Sequence, residues 1–294
     1  MENLRGIVMM VVSMAGFAME DMFVKLAAAN MPTGQILMFL GLFAAPLFWA
    51  LARREGKAVL SREALAGPIL WRNGGEMVGT AGFVTALTLG QLSSVSAILQ
   101  AAPLVVTFGA ALFLGERVGW RRWSAIAVGF VGVIVVIRPG LDGFDTASLW
   151  AVLGVAGLAV RDLATRRVAP STSTMQVGAW AFLTVALLGA MMLAVGGGAT
   201  WPTPGQATLL LGAVSFSFVG YWTLILATRV GDVSAIVPFR YSRLVFAMLI
   251  GFLVFHERPD GWMLAGAALI IGSGLYSFMR EQRLRRLSMR AAAE

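Results

Sequence analysis

An eleven-residue pattern occurs twice in this chain, and both copies lie in almost wholly apolar sequence. Ala15 to Lys25 (AGFAMEDMFVK) returns 141 positions later as Ala156 to Arg166 (AGLAVRDLATR). Thr85 and the run Val95-Ser96-Ala97-Ile98 return as Thr223 and Val233-Ser234-Ala235-Ile236 at an offset of 138, and Glu116-Arg117 returns as Glu257-Arg258 at 141. The chain therefore divides into two homologous halves, residues 1–140 and 145–280, followed by a basic tail, 281–294. About three extra residues lie in the second half between its VSAI run and its ER pair. A repeat that can exchange places with its partner exposes one central site to either side of a membrane in turn, so the duplication points to transport.

Composition names the solvent. Of 294 residues 58% are hydrophobic and 13% charged, and the mean hydropathy is +0.80, whereas soluble domains carry charge on about a quarter of their residues. Apolar runs about 20 residues long recur along the chain, each enough to cross a bilayer. With no cysteine there is no disulfide or thiolate metal site, and His256 stands beside Glu257 without ligand partners at a usable spacing. No metal or cofactor is expected. The first apolar segment follows Arg5 and lacks a small-residue cleavage site, so it reads as a spanning helix and not a signal peptide.

Ten spans are predicted: Gly6 to Val24, Thr33 to Ala52, Ala66 to Leu89, Val95 to Leu114, Trp123 to Ile137, Leu149 to Thr165, Gln176 to Val195, Ala207 to Thr228, Val233 to Phe255 and Trp262 to Met279. Five spans per half is an odd number, so the halves sit upside down relative to one another. The expected fold class is an all-α integral membrane protein of ten transmembrane helices in two inverted five-helix repeats. Placing both termini in the cytoplasm puts Arg5, Arg53, Arg54, Lys57, Arg62, Arg117, Arg121, Arg122, Arg161, Arg166, Arg167, Arg229 and the tail arginines inside, and leaves Lys25, Arg138 and Arg258 outside. A bacterial inner (plasma) membrane location follows. The net charge of +8 then belongs to loops facing anionic lipid rather than to a nucleic-acid surface. The loops are too short for an ATPase domain, and no GxxxxGK[ST] phosphate loop is present.

Small residues are organised. Ala125, Gly129 and Val133 stack along span five beside Gly132, and Gly266, Ile270 and Gly274 do the same along span ten. Such stripes let helices approach closely. They serve scaffold packing or a homodimer seam, so monomer and homodimer both stand.

A charge in hydrocarbon costs roughly 2.5 to 3.5 kcal/mol on insertion scales, so each one needs a reason. Glu20 and Asp21 lie near the outer end of span one, either lining a cavity or pairing with Lys25. Arg161 and Asp162 lie near the inner end of span six, where arginines also snorkel to the interface. Arg72 and Glu76 sit one turn apart in span three, as a structural ion pair or as part of a polar passage with Thr80, Phe83 and Thr85. Span nine is the most heavily interrupted, by Ser234, Pro238, Arg240, Tyr241 and Arg243. Pro238 frees a carbonyl by removing a helical hydrogen bond, and a free carbonyl, a guanidinium and a phenol suit an anionic or zwitterionic group. Its repeat partner in span four is Gln100, followed by Pro103. Among the aromatics, Phe83, Tyr221 and Tyr241 are the expected lining residues, whereas tryptophans such as Trp71 and Trp222 suit the interfacial belt.

These features resemble the drug/metabolite transporter superfamily and, within it, the EamA family. The resemblance rests on the ten inverted spans, on Pro103 followed by Phe113-Leu114-Gly115-Glu116-Arg117, on Gly129 and Gly132, and on the echo Phe252 to Arg258 with Gly266, Gly272 and Gly274. It implies a central cavity ringed by spans one, three, four, six, eight and nine, with five and ten as braces. The matching candidates are Glu20, Asp21, Arg72, Glu76, Gln100, Arg161, Tyr221, Pro238, Arg240 and Tyr241. The implied activity is secondary transport of a small organic metabolite by alternating access. Arginines together with acids favour export of an amino acid or related zwitterion, and the aromatics favour a larger flat metabolite such as riboflavin or S-adenosylmethionine. Proton coupling through Glu20, Asp21 or Glu76 and facilitated diffusion are both consistent with these residues. A membrane-embedded enzyme or lipid-handling scaffold is the competing class. The sequence has no HExxH, acidic metal cluster or GxSxG for it.

Overall fold

A backbone crossing hydrocarbon must satisfy its own N–H and C=O groups, which a helix does within one segment. The computed structural model describes residues 2–116, 118–141, 144–230 and 233–291, and it is helical throughout apart from short connections. Its helices are α1 (Glu2–Ala28), α2 (Thr33–Arg54), α3 (Gly67–Leu89), α4 (Leu92–Leu99), α5 (Ala102–Phe113), α6 (Trp120–Ile137), α7 (Ala147–Thr165), α8 (Thr174–Gly196), α9 (Pro204–Val230), α10 (Val233–Ile236), α11 (Ser242–Phe255) and α12 (Gly261–Ala291). A 3-10 segment, Val237–Tyr241, joins α10 to α11. Arg117 and Glu294 lie outside the described residues, as do the side chains of Arg229, Ser234, Arg285, Arg286 and Arg290.

Among the described residues nine stretches are long and apolar enough to cross a membrane. The tenth span is α3, whose 23 residues reach about 34 Å at 1.5 Å per residue although Arg72, Asn73 and Glu76 dilute its hydropathy. Outward faces carry exposed Leu42, Phe43, Leu47, Leu249 and Leu253, which suits lipid rather than water.

The helices pair across the two halves. The most extensive contacts join α3 to α7, α1 to α9, α2 to α8 and α6 to α12. Exchanging the halves turns the first pair into the second and maps each of the others onto itself, as two inverted repeats require. Small residues make the approach possible. A Cβ on Gly75 would lie 2.6 Å from the Arg161 nitrogen, one on Gly82 2.5 Å from the Gly154 nitrogen, and one on Gly132 2.9 Å from the Gly266 carbonyl oxygen. The stripes of spans five and ten thus pack on each other within the chain.

Spans four and nine are broken rather than merely bent. Pro103 falls in the first turn of α5 and Pro238 in the first turn of the 3-10 segment, where a missing N–H costs nothing because no helical acceptor awaits it. The first break is Gln100–Ala101 and the second is Val237–Tyr241. The extra residues of the second half therefore lie in its break, which carries Arg240 and Tyr241. Downstream the repeats realign. Gly115 and His256 both take left-handed conformations, at φ 68° and 53°. The next residue then folds back in each half: Glu116 N donates to Ala110 O at 3.2 Å and Glu257 N to Gly251 O at 2.9 Å.

Candidate functional site

A cavity of about 690 Å³ lies between α1, the α4–α5 break, α7, the 3-10 segment with the start of α11, and α12. Met14, Phe17, Leu99, Leu158 and Gly274 line its deep part, and Thr107, Arg166 and Gln282 its mouth, at the end where α7 and α12 leave the bundle. Both breaks face it. Gln100 Nε2 donates to the Arg240 carbonyl oxygen at 3.4 Å, linking one break to the other across the pseudo-twofold axis. The Tyr241 hydroxyl nests against Gly274, where any side chain would collide with it.

Four arginines line the cavity, and three are held by acids. Arg243 makes a bidentate pair with Asp21: Nη2 donates to Oδ1 at 2.9 Å and to Oδ2 at 2.7 Å, and Nε donates to Oδ2 at 3.2 Å. Its guanidinium is flanked by the rings of Phe17 and Phe83, at 5.4 and 5.5 Å, a favourable arrangement for a desolvated cation. Arg161 pairs with Asp162 at 2.8 Å and with Glu76 at 3.3 Å, and Arg166 pairs with Glu116 at 2.8 Å. Arg240 has no ion pair among the described residues and its side chain is open to the cavity.

Of the residues expected from sequence, Gln100, Arg161, Pro238, Arg240 and Tyr241 line the cavity directly. Asp21 is buried behind the wall and acts on it through Arg243, as Phe83 does. Glu20 points toward Ser217 on α9. Arg72 and Glu76 form a buried pair at 3.2 Å that touches the wall only through Arg161. Tyr221 packs edge-on against Phe48 and Phe182, at 5.0 and 6.0 Å, in a separate aromatic cluster. Its ring fills a helix interface there rather than the cavity wall. Lys25 does not pair with Glu20 or Asp21, because Arg243 takes Asp21. Lys25 Nζ donates instead to the carbonyl oxygens of Leu87, at 2.9 Å, and of Gly90. Met14, Phe17 and Phe278 join the lining without any sequence signal beyond apolarity, and so does Thr107, whose hydroxyl is turned back onto the Pro103 carbonyl oxygen.

A ten-span bundle of inverted repeats around a mainly apolar cavity with a few charged groups defines a membrane transporter. The match to known proteins is specific: the model of the EamA-like transporter family fits residues 4–138 and again 145–279, and the chain belongs to that family. It is 30% identical over 209 residues to a riboflavin transporter of Rhizobium johnstonii, covering 71% of this chain and 69% of that one. An S-adenosylmethionine uptake transporter of Rickettsia prowazekii is 24% identical over 288 residues, 95% of this chain and 94% of that one. The pseudopaline exporter CntI of Pseudomonas aeruginosa is 27% identical over 277 residues, 90% and 93% respectively. One solved crystal structure superposes with a TM-score of 0.63 at 20% identity, over 93% of this chain and 98% of that one, and so shares the fold. The protein is a multi-pass membrane protein of this transporter family.

Proposed function

We propose that the cavity carries a flat, ring-bearing metabolite of the size of riboflavin or S-adenosylmethionine. Arg240 is its main polar anchor, and the two homologous halves, 1–140 and 145–280, give the site alternating access. The observation that carries this reading is the Arg240 guanidinium, which makes no ion pair among the described residues, in a cavity of about 690 Å³. That volume lies within the range of about 300–1,000 Å³ that encloses drug-sized ligands, and a simple amino acid would leave much of it to water. A guanidinium grips a carboxylate through two parallel bonds and also stacks on a flat ring, so one residue suits either metabolite. The named activities of the riboflavin and S-adenosylmethionine relatives support this class. With both termini cytoplasmic, as the basic inner loops favour, the cavity opens inward.

A second reading, export of an amino-acid-derived zwitterion, draws on Asp162 and Arg240, which bring opposite charges to one cavity, and on the pseudopaline exporter among the relatives. Equilibrium binding to the purified protein separates the two. Riboflavin or S-adenosylmethionine should bind more tightly than any standard amino acid. Arg240→Ala should weaken that binding by about 1.5 to 3 kcal/mol, roughly 10- to 150-fold, through loss of a charge-assisted contact. Tighter binding of amino acids would install the second reading, and unchanged binding in folded Arg240→Ala would remove the anchor.

A further inference from the structure

The family resemblance makes span ten a brace, yet α12 supplies Gly274, Ser277 and Phe278 to the cavity wall, while its repeat partner α6 supplies none of the described lining. A pair of residues accompanies the difference. Gly274 stands where the first half has Val133, at the offset of 141, and Tyr241 stands where it has Gln100 or Pro103, at 141 or 138. The glycine and the ring therefore occur together in the second half, and neither occurs in the first.

Gly274 also differs from its neighbours in what it meets. A Cβ on Gly266, two turns earlier, would lie 2.7 Å from the Gly132 carbonyl oxygen and 3.0 Å from the Val136 nitrogen, so that glycine lets α12 approach α6. The three atoms nearest a Cβ on Gly274 all belong to Tyr241. Such a Cβ would overlap the phenol oxygen and lie 2.9 Å from Cζ and 3.6 Å from Cε1. Tyr241 reaches this notch from the end of the 3-10 segment. Its hydroxyl makes no hydrogen bond among the described residues, so shape alone seats it there.

We propose that Gly274 determines specificity: by taking in the Tyr241 phenol it keeps the ring against α12 and leaves the cavity wide enough for a fused-ring ligand. A methyl group in the notch would have to displace something. The α12 backbone cannot yield, since Gly132 and Gly266 already set it against α6. The phenol can, because it is the far end of a side chain that borders the cavity. Side chains occupy discrete rotamers, so the ring moves by a whole rotamer step, and the space it takes is cavity space. The inference rests on the ring-bearing class proposed above and concerns the size of the ligand rather than its charge.

The chain has no native cysteine, so Leu158→Cys on the cavity wall gives the full-length protein a single reporter thiol. Its labelling rate is measured with N-ethylmaleimide and with N-pyrenylmaleimide, which share their chemistry and differ in size. Gly274→Ala should lower the pyrenyl-to-ethyl rate ratio by about tenfold or more, since a methylene-sized change in a pocket discriminates about 10- to 200-fold. Adding Tyr241→Ala should restore the ratio, because no phenol remains to be displaced, whereas a packing defect between α12 and α6 would persist. If Tyr241→Ala does not fold, Tyr241→Phe removes the overlapping oxygen and should restore part of the ratio. An unchanged ratio, an equal fall with both reagents, or no recovery when the phenol is removed would overturn the role of Gly274. Labelling needs no substrate, so it decides this role even if riboflavin and S-adenosylmethionine fail to bind the parent, which would count against the proposed substrate class alone.

Discussion

Replacing either member of the Asp21–Arg243 pair tests whether cavity water reaches one partner and not the other. The Asp21 side chain is 4% exposed and that of Arg243 19%, so only the arginine borders the cavity. Breaking a buried pair by removing one partner costs about 3 to 5 kcal/mol, because the survivor is left uncompensated. Asp21→Asn keeps one carbonyl acceptor and leaves Arg243 where it can hydrate while still flanked by Phe17 and Phe83. Its loss should sit at or below the low end, about 2 to 3 kcal/mol. Arg243→Met leaves a carboxylate in a dry wall with Glu20 beside it, and should cost toward 5 kcal/mol. The double variant should cost less than the sum by about 1 to 3 kcal/mol. Thermal unfolding of all four proteins in one detergent, read by tryptophan fluorescence, gives the order. Additive losses, or a larger loss for Asp21→Asn than for Arg243→Met, would refute the reasoning.

Three further outcomes follow from other contacts. Single Arg72→Met and Glu76→Met changes should each lower the melting temperature, and the double Arg72→Met/Glu76→Met should recover much of the loss, since Arg161 keeps Asp162 at 2.8 Å; singles that melt like the parent would discount this pair. Gly157→Ala places a Cβ against the Gly79 backbone and should cost about 1 to 3 kcal/mol by overpacking. Gly272→Ala meets nothing within 4 Å and should be neutral or stabilising, so equal melting of the two alanine variants would sink the close-packing account. Asp260 accepts from Met263 N at 2.9 Å and from Arg138 at 2.6 Å, and that amide, helped by the guanidinium, holds its carboxyl below the ordinary carboxylate range. Its stabilisation is then complete at neutral pH and lost as pH falls below that range; Asp260→Asn should melt lower than the parent at pH 7 and converge with it in acid, which parallel melting curves would contradict.

The repeat made the fold legible because it fixed an odd number of spans per half, and with it the inversion. The candidate site was legible only where a residue was costly in hydrocarbon or broke a helix. Arg161, Pro238 and Arg240 announced themselves in that way, and Gln100 through its place as the repeat partner of the span-nine cluster. The pairing of Asp21 with Arg243 did not, because it joins residues 222 apart and depends on how far the break rotates α11. Three inserted residues set that rotation, and nothing in their composition states whether they kink a helix or make a 3-10 turn. Tyr221 was ambiguous for a related reason: a phenol in an apolar span signals a polar partner, but not whether its ring lines a cavity or fills a helix interface. Glu257 resembled a loop charge in sequence, since its carboxylate accepts from Ser93 N at the start of α4, 164 residues away.

The pairing of helices across the two halves also sets the order in which the chain can be completed. Ser13 on α1 donates to Gly220 on α9, a residue 207 positions later, and Asp21 waits still longer for Arg243. At about 5 to 20 residues per second, the ribosome needs roughly 10 to 40 s to supply that partner. During this interval the first five spans stand in lipid with their glycine faces uncovered and an acid without its guanidinium. The buried Asp21 is then the residue of α1 with most to gain from the arrival of the second half. A destabilising change in α9 or α11 would then act first on newly made chains, lowering the yield of inserted protein before it altered the transport rate of molecules already assembled.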